Sequence, residues 1–446
     1  MIPSPYRPGF GERPAVLVGR GRILDRTDHV LRRVVIDRQP ATAAMMMTGN
    51  RGMGKTVTLG MVADQAAAAG FITAQVGFDP ESPNVQRLAR SVAEALHPHQ
   101  RAGDLWARIR DRLARLNVEV NAGIVKVSGR LQEPRDTQQP DQRDALRDLL
   151  VDGARLALES GRSGLSLHID EVQTATIDQL SVIANALQDT QRHHDPTPVV
   201  VFGAGLPSTP DRLVEAASFS ERFDFRTLNP LSPDEAYLAL VEPAHGMGIQ
   251  WDHQAASEVV AAASGSPYLL QRMGDEVWSA ATPARAGDRI TTAHAATGLE
   301  EVRQGLHGGM FAGRFRKASP FEQEVMTAMA VVVDENGTAR IRDVAFQLNK
   351  DVKALSSARQ GLIDKGLVEA RGRGELGFTI PGFDDYVRDR AGVERIPPQM
   401  IAMRANVQAA LPPPSIRRVH SAGSVASAER HPRASIDRGT DGGVER

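Results

Sequence analysis

Hydrophobic and polar positions follow two different periods along the first half of the chain. Short apolar runs predict strands at 16–18, 43–48, 71–78, 165–169, 199–202 and 223–228. Longer segments between them, such as 85–96 and 145–158, have apolar residues every three or four positions, which predicts helices. Strands that alternate with helices indicate an α/β fold, with a parallel sheet covered on both faces.

The rest of the chain has other patterns. Alternating apolar residues between 116 and 131 predict a small hairpin or ordered insertion, and after Pro230 the strand signals give way to helical ones. A further unit begins near Ser319, and beyond Ile396 the chain is rich in Pro, Ser, Gly and Arg, which is typical of disorder. We therefore expect five parts: an N-terminal segment (1–40), an α/β core (41–229), a helical lid (230–310), a C-terminal unit (316–390) and a disordered tail (396–446).

Composition narrows the function classes. The 446 residues suffice for two to four domains, and 53 Lys and Arg against 54 Asp and Glu leave a net charge of -1, so a nucleic-acid site would have to be local. The absence of Cys excludes disulfides, thiolate metal ligands and cysteine nucleophiles, and it fits a reducing compartment. Since no apolar run reaches the length of a membrane span, we expect a cytoplasmic protein without a membrane partner.

A phosphate-binding loop lies between the second predicted strand and the following helix. The pattern G-x-x-x-x-G-K-[ST] is satisfied at every position by Gly49, Asn50, Arg51, Gly52, Met53, Gly54, Lys55 and Thr56. Glycines let successive backbone N–H groups point at phosphate oxygens, the lysine reaches the β and γ phosphates, and the threonine hydroxyl ligates Mg²⁺. The core is therefore predicted to be a P-loop ATPase core that binds ATP and Mg²⁺.

An acidic pair ends the strand at 165–169. Asp170 is predicted to hold Mg²⁺ together with Thr56, and Glu171 to orient and deprotonate water as the catalytic base. The alternative is an ordinary acidic turn between a strand and a loop.

These motifs together resemble P-loop ATPases of the additional-strand catalytic-glutamate class, in particular the AAA+ and STAND branches. Among these, the chain looks like origin-recognition-type initiators and related bacterial AAA family ATP-binding proteins. Val18, Gly19 and Arg20 are similar to the hydrophobic-Gly-Arg box of these proteins, although Gly21 and Arg22 replace the expected acidic residues. The resemblance implies that this box lies beside the nucleotide base; an ordinary strand, turn and helix is the alternative.

The same resemblance implies two catalytic arginines. Arg222, in Ser-Glu-Arg-Phe, is similar to an arginine finger that reaches the γ-phosphate of a neighbouring subunit in a homo-oligomer, and Arg272 is similar to a lid arginine that reaches the phosphates. Alternatively, Arg222 braces the next strand and Arg272 is a surface residue.

Three helical patterns and a Gly-rich hairpin predict a winged helix-turn-helix at 316–390. Residues 350–373 include six basic and three acidic residues, a local excess of positive charge. Lys353 and Arg359 on the third helix, with Arg371 and Arg373 on the wing, are predicted to contact the phosphates of duplex DNA. Winged helices also serve as protein-docking modules, so a partner protein is the alternative.

The sequence therefore predicts an ATP-binding and ATP-hydrolysing AAA+-type protein that acts in a DNA transaction. The alternative from another class is a STAND-type switch, in which nucleotide drives signalling or assembly and the winged helix never touches DNA.

Overall fold

The computed structural model describes residues 2–9, 11–41, 43–100, 104–121, 124–127, 139–192, 197–397 and 399–400, without the side chains at 119–121, 124–127 and 139–141. The end of the segment predicted as a hairpin, residues 128–131, and the predicted tail from residue 401 onward lie outside these residues.

A five-stranded parallel sheet forms the centre of the core, as the sequence predicts. The strands of this half of the chain are β1 (Met45–Thr48), β2 (Phe71–Gly77), β3 (Val118–Asn121), β4 (Ile124–Val127), β5 (Gly164–Asp170), β6 (Val199–Gly205) and β7 (Asp224–Thr227). The sheet order is β2-β5-β6-β1-β7, with every neighbouring pair parallel. The strands β3 and β4 form the separate antiparallel hairpin that the sequence predicts.

The strand predicted at 16–18 is wrong. These residues have no regular secondary structure. Gly19 has a φ of +70°, so the chain turns there into the first helix instead of running along the sheet.

Helices cover both faces of the sheet. They are α1 (Gly21–Asp37), α2 (Lys55–Ala68), α3 (Asn84–Leu96), α4 (Asp104–Arg115), α5 (Gln139–Glu159), α6 (Ile177–Gln191) and α7 (Thr209–Ala216). Because strand side chains alternate between faces, Met46 joins the core that includes residues of α3 and α5, whereas Met45 and Met47 join the core that includes residues of α1 and α2. The sheet therefore holds the carboxyl end of β1, where the phosphate loop begins, between two packed layers.

The lid is helical with one unpredicted addition. Its helices are α8 (Pro233–His245), α9 (His253–Ala263), α10 (Pro267–Ala281) and α11 (Thr292–Gly305). Two short strands, β8 (Gln250–Trp251) and β9 (Arg289–Ile290), pair in parallel and correct the expectation of an all-helical unit. Two residues are too few to give a periodic signal in the sequence.

The C-terminal elements follow a π-helical turn at Leu306–Phe311. They are α12 (Ala312–Lys317), α13 (Pro320–Val332), β10 (Thr338–Arg340), α14 (Ile341–Gln347), α15 (Ser356–Asp364), β11 (Val368–Gly372), β12 (Glu375–Phe378) and α16 (Phe383–Ala391). A 3-10 turn, Val352–Leu355, leads into α15, and Asp351 before this turn makes no side-chain capping hydrogen bond. Within the described residues, no helix is long and apolar enough to cross a membrane.

Candidate nucleotide-binding site

The phosphate loop connects buried strand β1 to α2. Gly52 and Gly54 have φ angles of +83° and +78°, which residues with a Cβ atom rarely adopt. A Cβ at Gly52 would lie 3.3 Å from both Ser266 Oγ and Tyr268 Cβ, so the loop packs closely against the start of lid helix α10. The Tyr268 N–H also donates to the Gly52 carbonyl over 3.2 Å. Glycine is thus required both for the curl of the loop and for the close approach of the lid.

Lys55 points into this curl. Its side chain is buried, and Nζ donates to the carbonyl oxygens of Gly49 and Asn50 over 3.0 and 2.9 Å. Burial lowers the pKa of Lys55, while the nearby Glu171 and Asp170 carboxylates oppose this shift. The ammonium group is therefore held beside the backbone of the loop, where phosphate would bind.

The acidic pair meets the loop at the carboxyl end of β5. Thr56 Oγ1 donates to Asp170 Oδ2 over 2.6 Å, and Asp170 Oδ1 accepts from the backbone N–H of Glu171 over 2.8 Å. Hydroxyl and carboxylate oxygens are ligands that suit Mg²⁺, which usually keeps waters and takes substrate phosphate oxygens to complete its shell. No group of three or more potential His, Cys, Asp or Glu ligands occurs among the described residues. The donor set therefore fits a Mg²⁺ ion that arrives with a nucleotide.

Glu171 is held by a residue that sequence reasoning missed. The backbone of Glu171 is left-handed, with a φ of +53°, and its carboxylate accepts a hydrogen bond from Gln173 Nε2. Gln173 Oε1 in turn accepts from the backbone N–H of Leu206, directly after β6, over 2.9 Å. The available sequence signal was an amide two residues beyond the acidic pair. Gln173 thus connects Glu171 to the neighbouring strand.

A cavity of about 310 Å³ opens beside the phosphate loop. Its walls come from the N-terminal segment, the loop with the start of α2, the start of α10, α12 and the chain after β12. The sequence motifs predict the loop and the Gly-Arg box in this wall, but they do not indicate the contributions of Arg7, Glu12, Arg314 and 379–381.

The residues of the Gly-Arg box have different roles. Val18 lines the cavity together with apolar neighbours Leu17 and Leu231. Arg20 is buried and donates to the carbonyls of Gly19 and Met53, each over 3.0 Å, so it braces the phosphate loop from behind. Burial lowers the pKa of Arg20, and Glu235 opposes this shift.

Elements from the end of the chain close the cavity. Arg314 of α12 lines it and forms no hydrogen bond or ion pair with any described residue. Burial and then the neighbouring Arg51 guanidinium lower the pKa of Arg314 to about 10, which leaves it charged at neutral pH. Close by, Glu369 of β11 accepts a hydrogen bond from Asn50 Nδ2. The only sequence hint of Arg314 was the basic run 314–317, which periodicity alone does not connect to the loop.

The two predicted catalytic arginines lie elsewhere. Arg222 is exposed and lines a smaller cavity of about 150 Å³ with Pro40 and Phe219. Arg272 is absent from the nucleotide cavity, and its Nη2 lies 2.7 Å from Glu276 Oε1, one helical turn away. Neither side chain joins Lys55 and Glu171 within one chain, and both assignments stay predictions.

The predicted DNA-contacting residues differ in their exposure and in whether they have internal hydrogen-bond partners. Lys353 and Arg373 are exposed and form no hydrogen bond or ion pair within the described part of the chain. Arg359 is half-buried with an unpartnered Nε. Arg371 already forms hydrogen bonds within the chain, since it donates to Glu369 Oε1 over 3.0 Å and to the Asn336 carbonyl over 2.7 Å.

The phosphate loop, the Thr56–Asp170 contact and the parallel sheet define a P-loop ATPase. Residues 16–202 match the family model of the AAA ATPase domain, and 308–387 match a domain of unknown function (DUF8462). The predicted resemblance to AAA-type P-loop ATPases is confirmed. No curated protein matches this chain.

Two solved structures share the fold over most of the chain. The ORC2 protein of Aeropyrum pernix, in ADPNP–ADP complexes, has 13% identity and a TM-score of 0.54, covering 90% of this chain and 98% of its own. The Walker-type ATPase of Pyrococcus abyssi has 13% identity and a TM-score of 0.53, covering 83% of this chain and 96% of its own. At this identity the likeness establishes the AAA+ fold.

Proposed function

We propose that this protein binds ATP with Mg²⁺, hydrolyses it, and uses the bound nucleotide to control a DNA transaction through a winged helix at 316–390. The observation that carries the proposal is the complete phosphate loop with Thr56 Oγ1 2.6 Å from Asp170 Oδ2, beside a cavity of about 310 Å³.

The residues around the phosphate loop have separate roles in this proposal. The loop backbone and Lys55 bind the phosphates, and Thr56 and Asp170 hold Mg²⁺, which when bound neutralises phosphate charge. Glu171 orients the attacking water and accepts its proton, and Gln173 positions the Glu171 carboxylate. The apolar wall at Val18 accommodates the base, while Arg20 keeps the loop in shape.

Arginines outside the cavity act only after assembly or rearrangement. Exposed Arg222 is available to reach the γ-phosphate in a neighbouring subunit of a homo-oligomer. Arg272 would have to leave Glu276 to reach a phosphate.

Contact with DNA is supported by the charge and order of the C-terminal elements. The succession α13, β10, α14, α15, β11, β12 supports the assignment of a winged helix, in which α15 would enter the major groove. Lys353 and Arg373 have cationic groups without a partner among the described residues, and Arg359 and Arg371 would add to their contacts with phosphates.

A second function, a nucleotide-driven switch whose C-terminal unit does not bind DNA, is favoured by one observation. Glu369 contacts Asn50 of the phosphate loop, and 379–381 line the nucleotide cavity. Occupancy of the cavity would then be sensed by the C-terminal unit through direct contact.

A DNA titration at several salt concentrations, with and without ATP, tests the proposal. If Lys353 and Arg359 meet phosphates, the log-log slope of affinity against salt should flatten by roughly 2 when both are changed to Glu, because each contact contributes about 0.9. The matched control is Arg340→Glu with Arg342→Glu, since these two exposed arginines lie on β10 and α14.

An unchanged slope in the Lys353→Glu, Arg359→Glu protein would remove α15 from the DNA interface. Absence of DNA binding at low salt in the full chain, with and without ATP, would favour the switch.

A further inference from the structure

Arg314 stands on a helix whose two faces meet different parts of the molecule. Met310 and Arg314 are four positions apart, so they share one helical face, and both line the nucleotide cavity. The π-helical turn that contains Met310 runs directly into α12. Such turns are frequent at functional sites.

The adjacent face is fixed in an aromatic cluster. Phe311 and Phe315 are buried and lie 5.7 and 6.2 Å from the ring of Tyr386, and Phe311 lies 5.2 Å from Phe383. Because its neighbours in sequence are anchored in this way, the direction of Arg314 is set by packing rather than by an ion pair.

The charge balance of the cavity calls for an anion. Among the described residues, five basic side chains line it (Arg7, Arg20, Arg51, Lys55 and Arg314) against two carboxylates, Glu12 and Glu171. Arg20 and Lys55 already donate to backbone carbonyls, whereas Arg314 has no partner among the described residues. A half-buried guanidinium beside another arginine is unfavourable until an anion joins them.

We propose that Arg314 is a phosphate-binding residue of the nucleotide site and acts within its own chain. The inference rests on the proposed nucleotide binding and assigns to α12, in the segment 308–387, a direct contact with the ligand. Arg314 interacts electrostatically with Arg51 of the phosphate loop and with Tyr268, whose Cβ packs against Gly52 of the same loop.

The test is equilibrium binding of Mg-ATP and of adenosine to the full chain by calorimetry or displacement. Arg314→Gln should weaken Mg-ATP at least about tenfold, the lower range for a hydrogen bond to a charged group, and leave adenosine within about twofold. Arg314→Lys keeps the charge but not the planar fork and should recover part of the loss. Arg316→Gln is the matched control, because Arg316 is exposed on the same helix and does not line the cavity.

The outcomes separate the inference from the proposed function. If Arg314→Gln binds Mg-ATP like the wild type while Lys55→Ala loses binding, the role of Arg314 is refuted and nucleotide binding stands. If Arg314→Gln weakens ATP and adenosine equally, or lowers the melting temperature without nucleotide, Arg314 is structural and the inference fails. If Lys55→Ala also binds normally, the phosphate-loop assignment itself fails.

Discussion

The two sides of the nucleotide cavity are built on different principles. On the sheet side the polar groups already satisfy one another, since Lys55 donates to loop carbonyls and Thr56 to Asp170. On the C-terminal side Arg314 has no partner among the described residues, and Glu369 contributes a carboxylate next to the loop. The comparison teaches that the polar groups of the sheet side are organised in advance, in a way that suits phosphate and metal. Under our proposal, the C-terminal side contains charges that respond to what is bound.

The largest expected effect tests the chemistry of the sheet side. Glu171→Gln should bind Mg-ATP with near-normal affinity but hydrolyse it at least about 100-fold more slowly, because a general base acts mainly in the transition state. Steady-state phosphate release together with equilibrium ATP binding provides the measurement. Glu221→Gln, at an exposed glutamate outside the cavity, is the control.

Mixing extends this experiment across subunits. If Arg222 is supplied in trans, combining Arg222→Ala with Glu171→Gln protein should restore part of the activity, because some interfaces then pair an intact Glu171 with an intact Arg222. If mixed assemblies form but recover no activity, Arg222 is a structural residue. If Glu171→Gln hydrolyses ATP at the normal rate, another group acts as the base.

The next effect concerns the interior of the sheet side. Burial lowers the pKa of His168 on β5 to about 3, and its ring stacks on Phe202. The unfolded chain binds the proton below about pH 6.5 and the folded chain does not, so stability is lost as the pH falls from there toward 3. Between pH 7.5 and 5.0 this residue alone should cost about 2 kcal/mol of the free energy of unfolding.

Urea unfolding of the wild type and of His168→Gln at both pH values measures this cost. The wild type should lose more stability on acidification than the variant, which lacks the titrating ring. Equal losses would mean that His168 is protonated as readily in the folded protein as in the unfolded chain.

The smallest expected effect is on the C-terminal side. Glu369→Gln keeps a hydrogen-bonding group beside Asn50 but removes a negative charge near the phosphate site, so Mg-ATP should bind about two- to fivefold more tightly, the scale of a partly exposed charge interaction. Glu375→Gln on β12 is the control, since Glu375 pairs with Arg340 and does not line the cavity. Weaker ATP binding by Glu369→Gln would indicate that the carboxylate mainly orders the loop.

The sequence foretold the sheet side far better than the C-terminal side, for a physical reason. The motif at 49–56 and the acidic pair after β5 each occupy consecutive positions, because a single turn of backbone creates the phosphate cradle and a single strand end presents the carboxylates. Hydrophobic periodicity likewise revealed the five parallel strands. It misread 16–18, where apolar residues line a cavity instead of pairing in a sheet.

Tertiary contacts determine what the sequence did not reveal. Gln173 acts through Leu206, 33 positions away, and Glu369 meets Asn50 across 319 positions. In the sequence, Arg314 is one member of an ordinary basic run. In the folded chain, the packing of Phe311 and Phe315 directs its side chain toward the cavity. No local pattern contains that information.

If Glu369 affects nucleotide binding as predicted above, its contact with Asn50 ties nucleotide binding and the C-terminal unit into one thermodynamic cycle. A macromolecule that binds the unit and displaces β11 from the loop then changes the affinity for nucleotide. Linkage then requires the nucleotide to change the affinity of that macromolecule by the same factor. The ratio of its dissociation constants with and without ATP would therefore equal the ratio of ATP dissociation constants with and without it, whether the macromolecule is DNA or protein.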